Sequence, residues 1–327
     1  MILAGDIGGT KSNLAYFEVR KRRLEPIIEE TFPSRAFASL HDLLGKFIFE
    51  HRLKLAHACL SIAGPVINQR CQTTNLPWVV DAERLSEELN LPVIWLINDL
   101  EANAHGIVEL TPADFVVLNE GSAEPEGNQA IISAGTGLGE AGMFWDGTRH
   151  MPFACEGGHA DFAPTDAVQI DLLRYLMKEH EHVSYELVLS GMGLNNIYRF
   201  LRDSGRYEEP AWLASELAES DPAATISRAA LEKTSDLCEQ ALSIFVTIYG
   251  AETGNLALKM MALGGIFVGG GIAPKIIEKL KEPFFMKAFA GKGRMRELVE
   301  SMPVKVITNE KTALLGAARC AMWQIDN

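Results

Sequence analysis

The sequence predicts an α/β protein made of two related lobes facing each other, and three observations carry that prediction. An apolar strand, a glycine-rich turn with a threonine, and a second strand open the chain. They run Ile2-Leu3-Ala4-Gly5-Asp6-Ile7-Gly8-Gly9-Thr10, then Asn13-Leu14-Ala15-Tyr16-Phe17. The same device returns at Ala130-Ile131-Ile132-Ser133-Ala134-Gly135-Thr136-Gly137-Leu138-Gly139, continuing into Ala141-Gly142-Met143-Phe144-Trp145. Strand-like and helix-like periods alternate between the two copies. At 327 residues the chain is long enough for two domains.

Taken in order, the basic run Arg20-Lys21-Arg22-Arg23 separates two strand-like stretches and reads as a solvated hairpin turn rather than a targeting or polyanion signal. Leu40 to Phe49 reads as a helix, His57 to Ala63 as a strand, and Asp81 to Leu89 as a helix with Asp81 as its N-cap. A short buried strand follows at Val93 to Ile97, then a helix from Glu101 to Glu109. Beyond Asp166 the chain reads as mostly helical through Met261, with one long pattern from Ile226 to Leu258. A glycine-rich turn at Gly264 to Gly271, a helix starting near Lys275, a strand from Val304 to Ile307 and a last helix from Ala313 to Trp323 complete the reading. The expected division is a small lobe at 1–110, completed by a C-terminal helix at 312–327, and a large lobe at 111–311.

Apolar residues make up 47% of the chain and charged ones 22%, a balance that buries a core and argues against disorder. A net charge of −13 repels phosphate backbones and anionic lipid, so neither nucleic acid nor membrane is expected as a partner. The five cysteines are scattered without a close pair, as reduced thiols would be. No basic leader opens the chain, and the longest apolar stretch, Met260 to Pro274, is interrupted by glycines and too short for a bilayer. A soluble cytoplasmic protein is expected.

The chemistry starts from the two Gly-Thr turns. Glycines bring successive backbone N–H groups close enough to cradle an anion, and threonine adds a hydroxyl. Asp6 ends a buried strand, where its carboxylate either faces a cation or bonds the turn backbone; beside phosphate the natural cation is hydrated Mg²⁺. Two such turns with Asp6 point to a nucleotide-phosphate clamp at Gly5, Asp6, Ile7, Gly8, Gly9, Thr10 and at Gly135, Thr136, Gly137. No G-x-x-x-x-G-K-[ST] loop occurs. Gly137-Leu138-Gly139-Glu140-Ala141-Gly142 spells a dinucleotide fingerprint but runs into a strand where that fingerprint must open a helix. A third glycine cluster around Gly270 either lets adenine or ribose approach the backbone or is a tight strand-to-helix turn.

Asn98-Asp99 stands at the carboxyl end of a buried strand, where α/β enzymes place their chemistry. An ionised aspartate there can take the proton of an acceptor hydroxyl during phosphoryl transfer; either residue can also cap the next helix. Glu156-Gly157-Gly158-His159-Ala160-Asp161 joins carboxylates, an imidazole and glycines on one loop, a donor and acceptor set suited to sugar hydroxyls. One histidine with two acids lacks metal-site spacing, as does His180-Glu181-His182. Glu186 alone would read as a helix-surface acid.

Gly5-Asp6-Ile7-Gly8-Gly9-Thr10, Ser61-Ile62-Ala63-Gly64-Pro65, Thr74-Asn75-Leu76-Pro77-Trp78, Ile97-Asn98-Asp99, Gly135-Thr136-Gly137-Leu138-Gly139, Glu156-Gly157-Gly158-His159 and Leu314-Leu315-Gly316-Ala317 come in the order of the bacterial glucokinase family, and the chain resembles that family along its whole length. The resemblance implies an actin-like fold, a duplicated ribonuclease-H-like ATPase with a cleft between two lobes. It implies ATP with Mg²⁺ as donor, glucose as acceptor, and commonly a homodimer. Asp99 matches the family's base for the glucose 6-hydroxyl, Asn98, Glu156, His159 and Glu186 its sugar ligands, and Gly5 to Thr10 its ATP-phosphate segment. The cysteine-rich zinc motif of related sugar kinases and repressors has no counterpart here, since only Cys155 lies near Glu156, so no structural zinc is expected. The alternatives are a kinase for mannose, fructose or glucosamine and a polyphosphate-dependent glucokinase. A sugar-sensing DNA-binding regulator would need a helix-turn-helix extension before Gly5, and an ATPase doing conformational work would not need the polar loop at Glu156 to Asp161.

Overall fold

Contacts divide the chain into two units, Met1–Pro112 with Asn309–Asn327, and Ala113–Thr308. The structure, a computed structural model, describes residues 1–326 apart from Arg22, Thr74, Pro92 and Ala123. Arg22 of the basic run, Thr74 of the Thr74–Trp78 motif and residue 327 of the last helix therefore lie outside the described residues.

The first unit begins with β1 (Ile2–Ile7), β2 (Lys11–Arg20) and β3 (Arg23–Pro33), an antiparallel meander. It continues through α1 (Leu40–His51), β4 (His57–Ile62), a small hairpin of β5 (Arg70–Gln72) and β6 (Val79–Asp81), α2 (Ala82–Leu89), β7 (Ile94–Asn98) and α3 (Asp99–Gly106). Among the described residues its main sheet has five strands in the order β3-β2-β1-β4-β7, with β4 and β7 parallel to β1. β1 is apolar on both faces because both are covered. Leu3 and Ile7 pack with Leu43, Leu44 and Phe47 of α1, while Ile2 and Ala4 join Ala102 of α3 on the other side. The edge strand β3 carries Arg23, Glu25 and Glu29 exposed and holds Pro26 next to a bulge in its pairing with β2, features that discourage further strand addition.

Caps set the helix bounds. Ser39 accepts from the Asp42 N–H at 3.1 Å to start α1, and Arg52, at φ 50°, ends it. Asp81 caps α2 as expected, accepting from Arg84 N–H at 3.2 Å. The helix read as Glu101–Glu109 instead begins at Asp99, because Asn98 Oδ1 accepts from Leu100 N–H at 2.8 Å; after Gly106 it tightens into a 3₁₀ turn at Ile107–Glu109.

The second unit holds β8 (Phe115–Asn119), β9 (Gln129–Ala134), β10 (Leu138–Trp145) and β11 (His150–Cys155), followed by α4 (Ala167–Leu176), α5 (Gly191–Asp203), α6 (Ala211–Glu219), α7 (Pro222–Leu231) and α8 (Asp236–Met260). Then come β12 (Gly265–Gly269), the short helices α9 (Ile277–Leu280), α10 (Pro283–Phe289) and α11 (Arg296–Glu300), and β13 (Val304–Ile307). Its sheet runs β11-β10-β9-β12-β13-β8. An antiparallel meander of β9, β10 and β11 is followed by β12 and β13 parallel to β9, which repeats the strand order and directions of the first unit. The duplication read from the two Gly-Thr turns therefore extends to the sheets.

Two helix readings in this unit are corrected. The single pattern from Ile226 to Leu258 is two helices. Lys233 turns left-handed at φ 56° and Ser235 caps α8 by accepting from Cys238 N–H at 3.4 Å, so the chain breaks although its apolar period runs on. The helix expected near Lys275 is first a 3₁₀ turn at Ala273–Ile276 and becomes α-helical only at Ile277.

The chain ends in α12 (Thr312–Asp326), which rejoins the first unit and covers the β1 face with Ala313, Ala317, Ala318 and Ala321. No helix among the described residues is long and apolar enough to cross a membrane.

Candidate active site

In the first unit the carboxyl ends of three parallel strands come side by side. Asp6 of β1 is in register with Ser61 of β4, and Ile62 with Asn98 of β7. Ligands of open α/β sheets bind at such strand ends. The Asp6 carboxyl accepts from Ser61 Oγ at 3.4 Å and is also bonded by Asn13. Burial raises its pKa, while those two bonds and the charge of Lys11 pull it down. It therefore engages side chains rather than the turn backbone. The following turn is braced: Gly8 N–H donates to Lys11 O at 3.1 Å and Ser34 Oγ to Gly8 O at 2.7 Å. A side chain at Gly9 would bring its Cβ to 2.5 Å from Cβ of Asn75, so the Asn75–Trp78 motif lies against this turn. Gly5 is packed between Leu14 and Leu60, and Thr10 is exposed.

Asn98 has both ends of its amide in use. Oδ1 caps α3 and Nδ2 donates to Gly64 O at 3.1 Å, which ties β7 to the Ser61–Pro65 segment. Asp99 is half-buried; its Oδ1 accepts from Leu100 N–H at 2.9 Å. Its charge reaches Cys71, whose thiol is pushed up by burial first and by Asp99 second.

One contributor gave no sequence signal. Gln69, in a left-handed conformation at φ 59°, clasps the outer edge of β7: its Oε1 accepts from Leu96 N–H at 2.7 Å and its Nε2 donates to Leu96 O at 3.3 Å. The amide stands in for a sixth strand two residues before Asn98. Gln69→Ala leaves the part-buried Leu96 N–H unpaired and is expected to cost about 1–3 kcal/mol, read by denaturant unfolding. An unchanged unfolding midpoint would show that water replaces the clasp at no cost.

The second unit gathers the remaining candidates. Gly135, Thr136 and Gly137 turn from β9 into β10, with Gly135 N–H donating to Gly137 O at 2.8 Å. Gly270 follows β12, the parallel neighbour of β9, at φ +83°; a Cβ there would overlap Ala134 O, so the third glycine cluster is a strand-to-helix turn lying against the second. Glu186 is in a 3₁₀ turn at Tyr185–Leu187, not on a helix surface. Its Oε2 accepts from Leu138 N–H at 2.9 Å and occupies the space a side chain at Gly137 would need.

Glu156 and His159 are exposed at the two ends of a 3₁₀ turn, closed by His159 N–H donating to Glu156 O at 3.0 Å. Gly158 beneath them is pressed against Leu138 O, and Tyr185 N–H donates to Ala160 O at 3.0 Å. The structure thus brings Glu156, His159 and Glu186 beside the second Gly-Thr turn. Asp161 instead pairs with His182 at 2.8 Å on the surface. No cluster of His, Cys, Asp or Glu among the described residues is arranged to hold a metal by itself.

A family model for glucokinase matches residues 3–324. A glucokinase of Nostoc sp. (strain PCC 7120) is 43% identical over 338 residues, 98% of each chain. One of Yersinia pestis is 36% identical over 317 residues, covering 96% of this chain and 94% of its own. Among solved structures, a glucokinase from an Antarctic psychrotroph matches with a TM-score of 0.85 and 32% identity over 98% of both chains. A glucokinase of the ROK family from Streptomyces griseus, in complex with glucose and AMPPNP, matches with a TM-score of 0.63 and 19% identity over 98% of this chain and 99% of that one, a likeness of fold alone.

Proposed function

The chain belongs to the glucokinase family, and from that premise we propose that it moves the γ-phosphoryl group of ATP to the 6-hydroxyl of glucose with Asp99 as general base. It is a hexose kinase of actin-like fold. The observation that carries the assignment is the position of Asp99, half-buried at the carboxyl end of β7 and in the first turn of α3, one strand away from Ser61 and two from Asp6. A carboxylate there accepts the proton as the sugar oxygen attacks phosphorus.

Asn98, Glu156, His159 and Glu186 are proposed to hold the sugar hydroxyls. Asn98 must do so while capping α3. The backbone cradles at Gly5–Thr10 and Gly135–Gly137 are proposed to hold phosphate oxygens, and the turn at Gly270 to receive the nucleoside. The Asp6 oxygens are hard donors, buried at a cost that a cation would offset, and they fit Mg²⁺ held through water. When bound with ATP, that ion neutralises charge on the phosphates. Exclusion of water from the reacting phosphorus prevents hydrolysis. A cytoplasmic homodimer is part of the same reading.

A panel of glucose, mannose, fructose and glucosamine, each with ATP or polyphosphate and a coupled readout of the sugar phosphate, tests the substrate assignment. Glucose with ATP and Mg²⁺ is expected to show the highest kcat/KM. A higher value for another hexose, or for polyphosphate, would reassign the substrate. Glu156→Ala is expected to raise the KM for glucose about tenfold or more, because a hydrogen bond to a charged group is worth about 1.5–3 kcal/mol.

A further inference from the structure

We propose that Glu140 is a positioning residue for the sugar: packed with Glu252 beneath Gly157, its carboxyl sets the loop that carries Glu156 and His159. The inference rests on the sugar-binding role proposed for that loop.

Glu140 lies in β10 opposite Cys155 of β11, the residue before Glu156. Its side chain is 1% exposed, and that of Glu252, in α8, is 0% exposed. A Cβ on Gly157 would overlap Glu140 Oε2, so the loop backbone rests directly on this carboxyl, and only glycine fits there. Cys155 Sγ donates to Glu140 O at 3.4 Å, a second tie between the strand and the loop.

Glu252 is well supplied with donors. Lys259 Nζ is 3.2 Å from its Oε1, and Asn255 Nδ2 donates to its Oε2 at 2.8 Å. The same Nδ2 donates to Tyr185 OH at 3.0 Å, and Lys292 Nζ donates to Asn255 Oδ1 at 2.6 Å. Tyr185 precedes Glu186, so the network touches both segments of the sugar site. Glu140 Oε1, by contrast, has no hydrogen-bond partner among the described residues.

Two carboxyls so placed cannot both ionise without great cost. Burial first, then the charge of Glu252, push Glu140 up to about 8, with Lys259 pulling the other way. The groups facing the pair are Lys259, Lys292, Tyr185, Tyr249 and Cys155. At neutral pH Glu140 keeps its proton. As pH passes about 8 the proton leaves, repulsion from Glu252 drives the carboxylate out of its place, and the loop above it moves. An acid whose native pKa is raised destabilises the fold progressively from the ordinary carboxylate range up to that value, because the unfolded chain releases its proton first.

The test measures kcat and KM for glucose between about pH 7 and about pH 9 in the wild type, Glu140→Gln and Glu140→Ala, with melting temperatures over the same range. Wild-type KM is expected to rise about fivefold or more across that range, with a smaller change in kcat. Glu140→Gln, which keeps the shape and a donor but cannot ionise, is expected to hold KM within about twofold and to melt at a temperature that no longer carries this proton's contribution. Glu140→Ala is expected to raise KM at both ends of the range, and recovery by Gln separates positioning from filling space. Should the Ala variant not fold, Glu252→Gln serves: removing that charge lowers the Glu140 pKa and moves the KM rise to lower pH.

A wild-type KM that stays flat, or a Glu140→Gln enzyme that keeps the wild-type rise, overturns the proposal. Glu156→Ala distinguishes the two levels. If it leaves KM unchanged, the loop is not a sugar site and both readings fall; if it raises KM while the Glu140 series shows no effect, only the positioning role falls.

Discussion

Asp99→Ala is expected to lower kcat by about 10²–10⁴-fold while glucose binding persists. The variant should fold, because the cap of α3 belongs to its neighbour. Leu100 N–H has two acceptors, Asn98 Oδ1 at 2.8 Å and Asp99 Oδ1 at 2.9 Å, and only the second is lost. Asn103 Nδ2 is bonded to the Asp99 backbone carbonyl, which the substitution keeps. Removing a negative charge from the first turn of a helix costs about 0.3–1 kcal/mol. A coupled assay reads turnover and calorimetric titration with glucose reads binding. Turnover within about tenfold of wild type would place the base elsewhere, since a positioned general base is worth more than that. Loss of glucose binding with the fold intact would make Asp99 chiefly a sugar ligand.

The contrast between Asp99 and the residues around it shows what one chain of letters discloses. A glycine-threonine turn after an apolar strand, or Asn-Asp at a strand end, is a local pattern, and locality makes it legible. The repeat of Gly5–Thr10 at Gly135–Gly137 also pointed to two similar sheets, and their strand orders agree. Helix bounds were less legible where a cap and an apolar period compete. Asn98 caps α3 so that it starts at Asp99, two residues before Glu101, and Lys233 with Ser235 interrupt a period that continues on both sides. The polar run Glu232-Lys233-Thr234-Ser235 was the available signal.

Contacts between distant positions left no local trace at all. Gln69 clasps Leu96 across 27 positions, and Glu140 meets Glu252 only because β10 and α8 share one core. A glutamate in an otherwise apolar strand-turn segment was a hint that Glu140 is buried for a reason, but its partner could not be named. Glu186 read as a surface acid because its partner, the Leu138 N–H, belongs to a turn formed far earlier in the chain.

The C-terminal helix makes the same point about distance in structural terms. Gly316→Val is expected to lower the melting temperature by about 5–10 °C and to reduce kcat more than it raises the KM for glucose. A Cβ at Gly316 would overlap Ala102 O, and one at Gly106 would overlap Thr312 O, so α12 and α3 touch backbone to backbone. Backbone cannot swing aside as a flexible side chain can, and the surrounding Ala313, Ala317, Ala318 and Ala321 are already buried. Overpacking such a contact costs about 1–3 kcal/mol, and more where nothing yields. If α3 moves to admit the new methyl groups, its first residue moves with it, and that residue is Asp99. Misplacing a base harms the transition state more than it harms sugar binding, hence the larger effect on kcat. Gln324→Ala, at an exposed position of the same helix, is the control and should alter neither quantity. A Gly316→Val protein that melts and turns over like the wild type would mean that α12 is not what holds α3, and with it Asp99, in place.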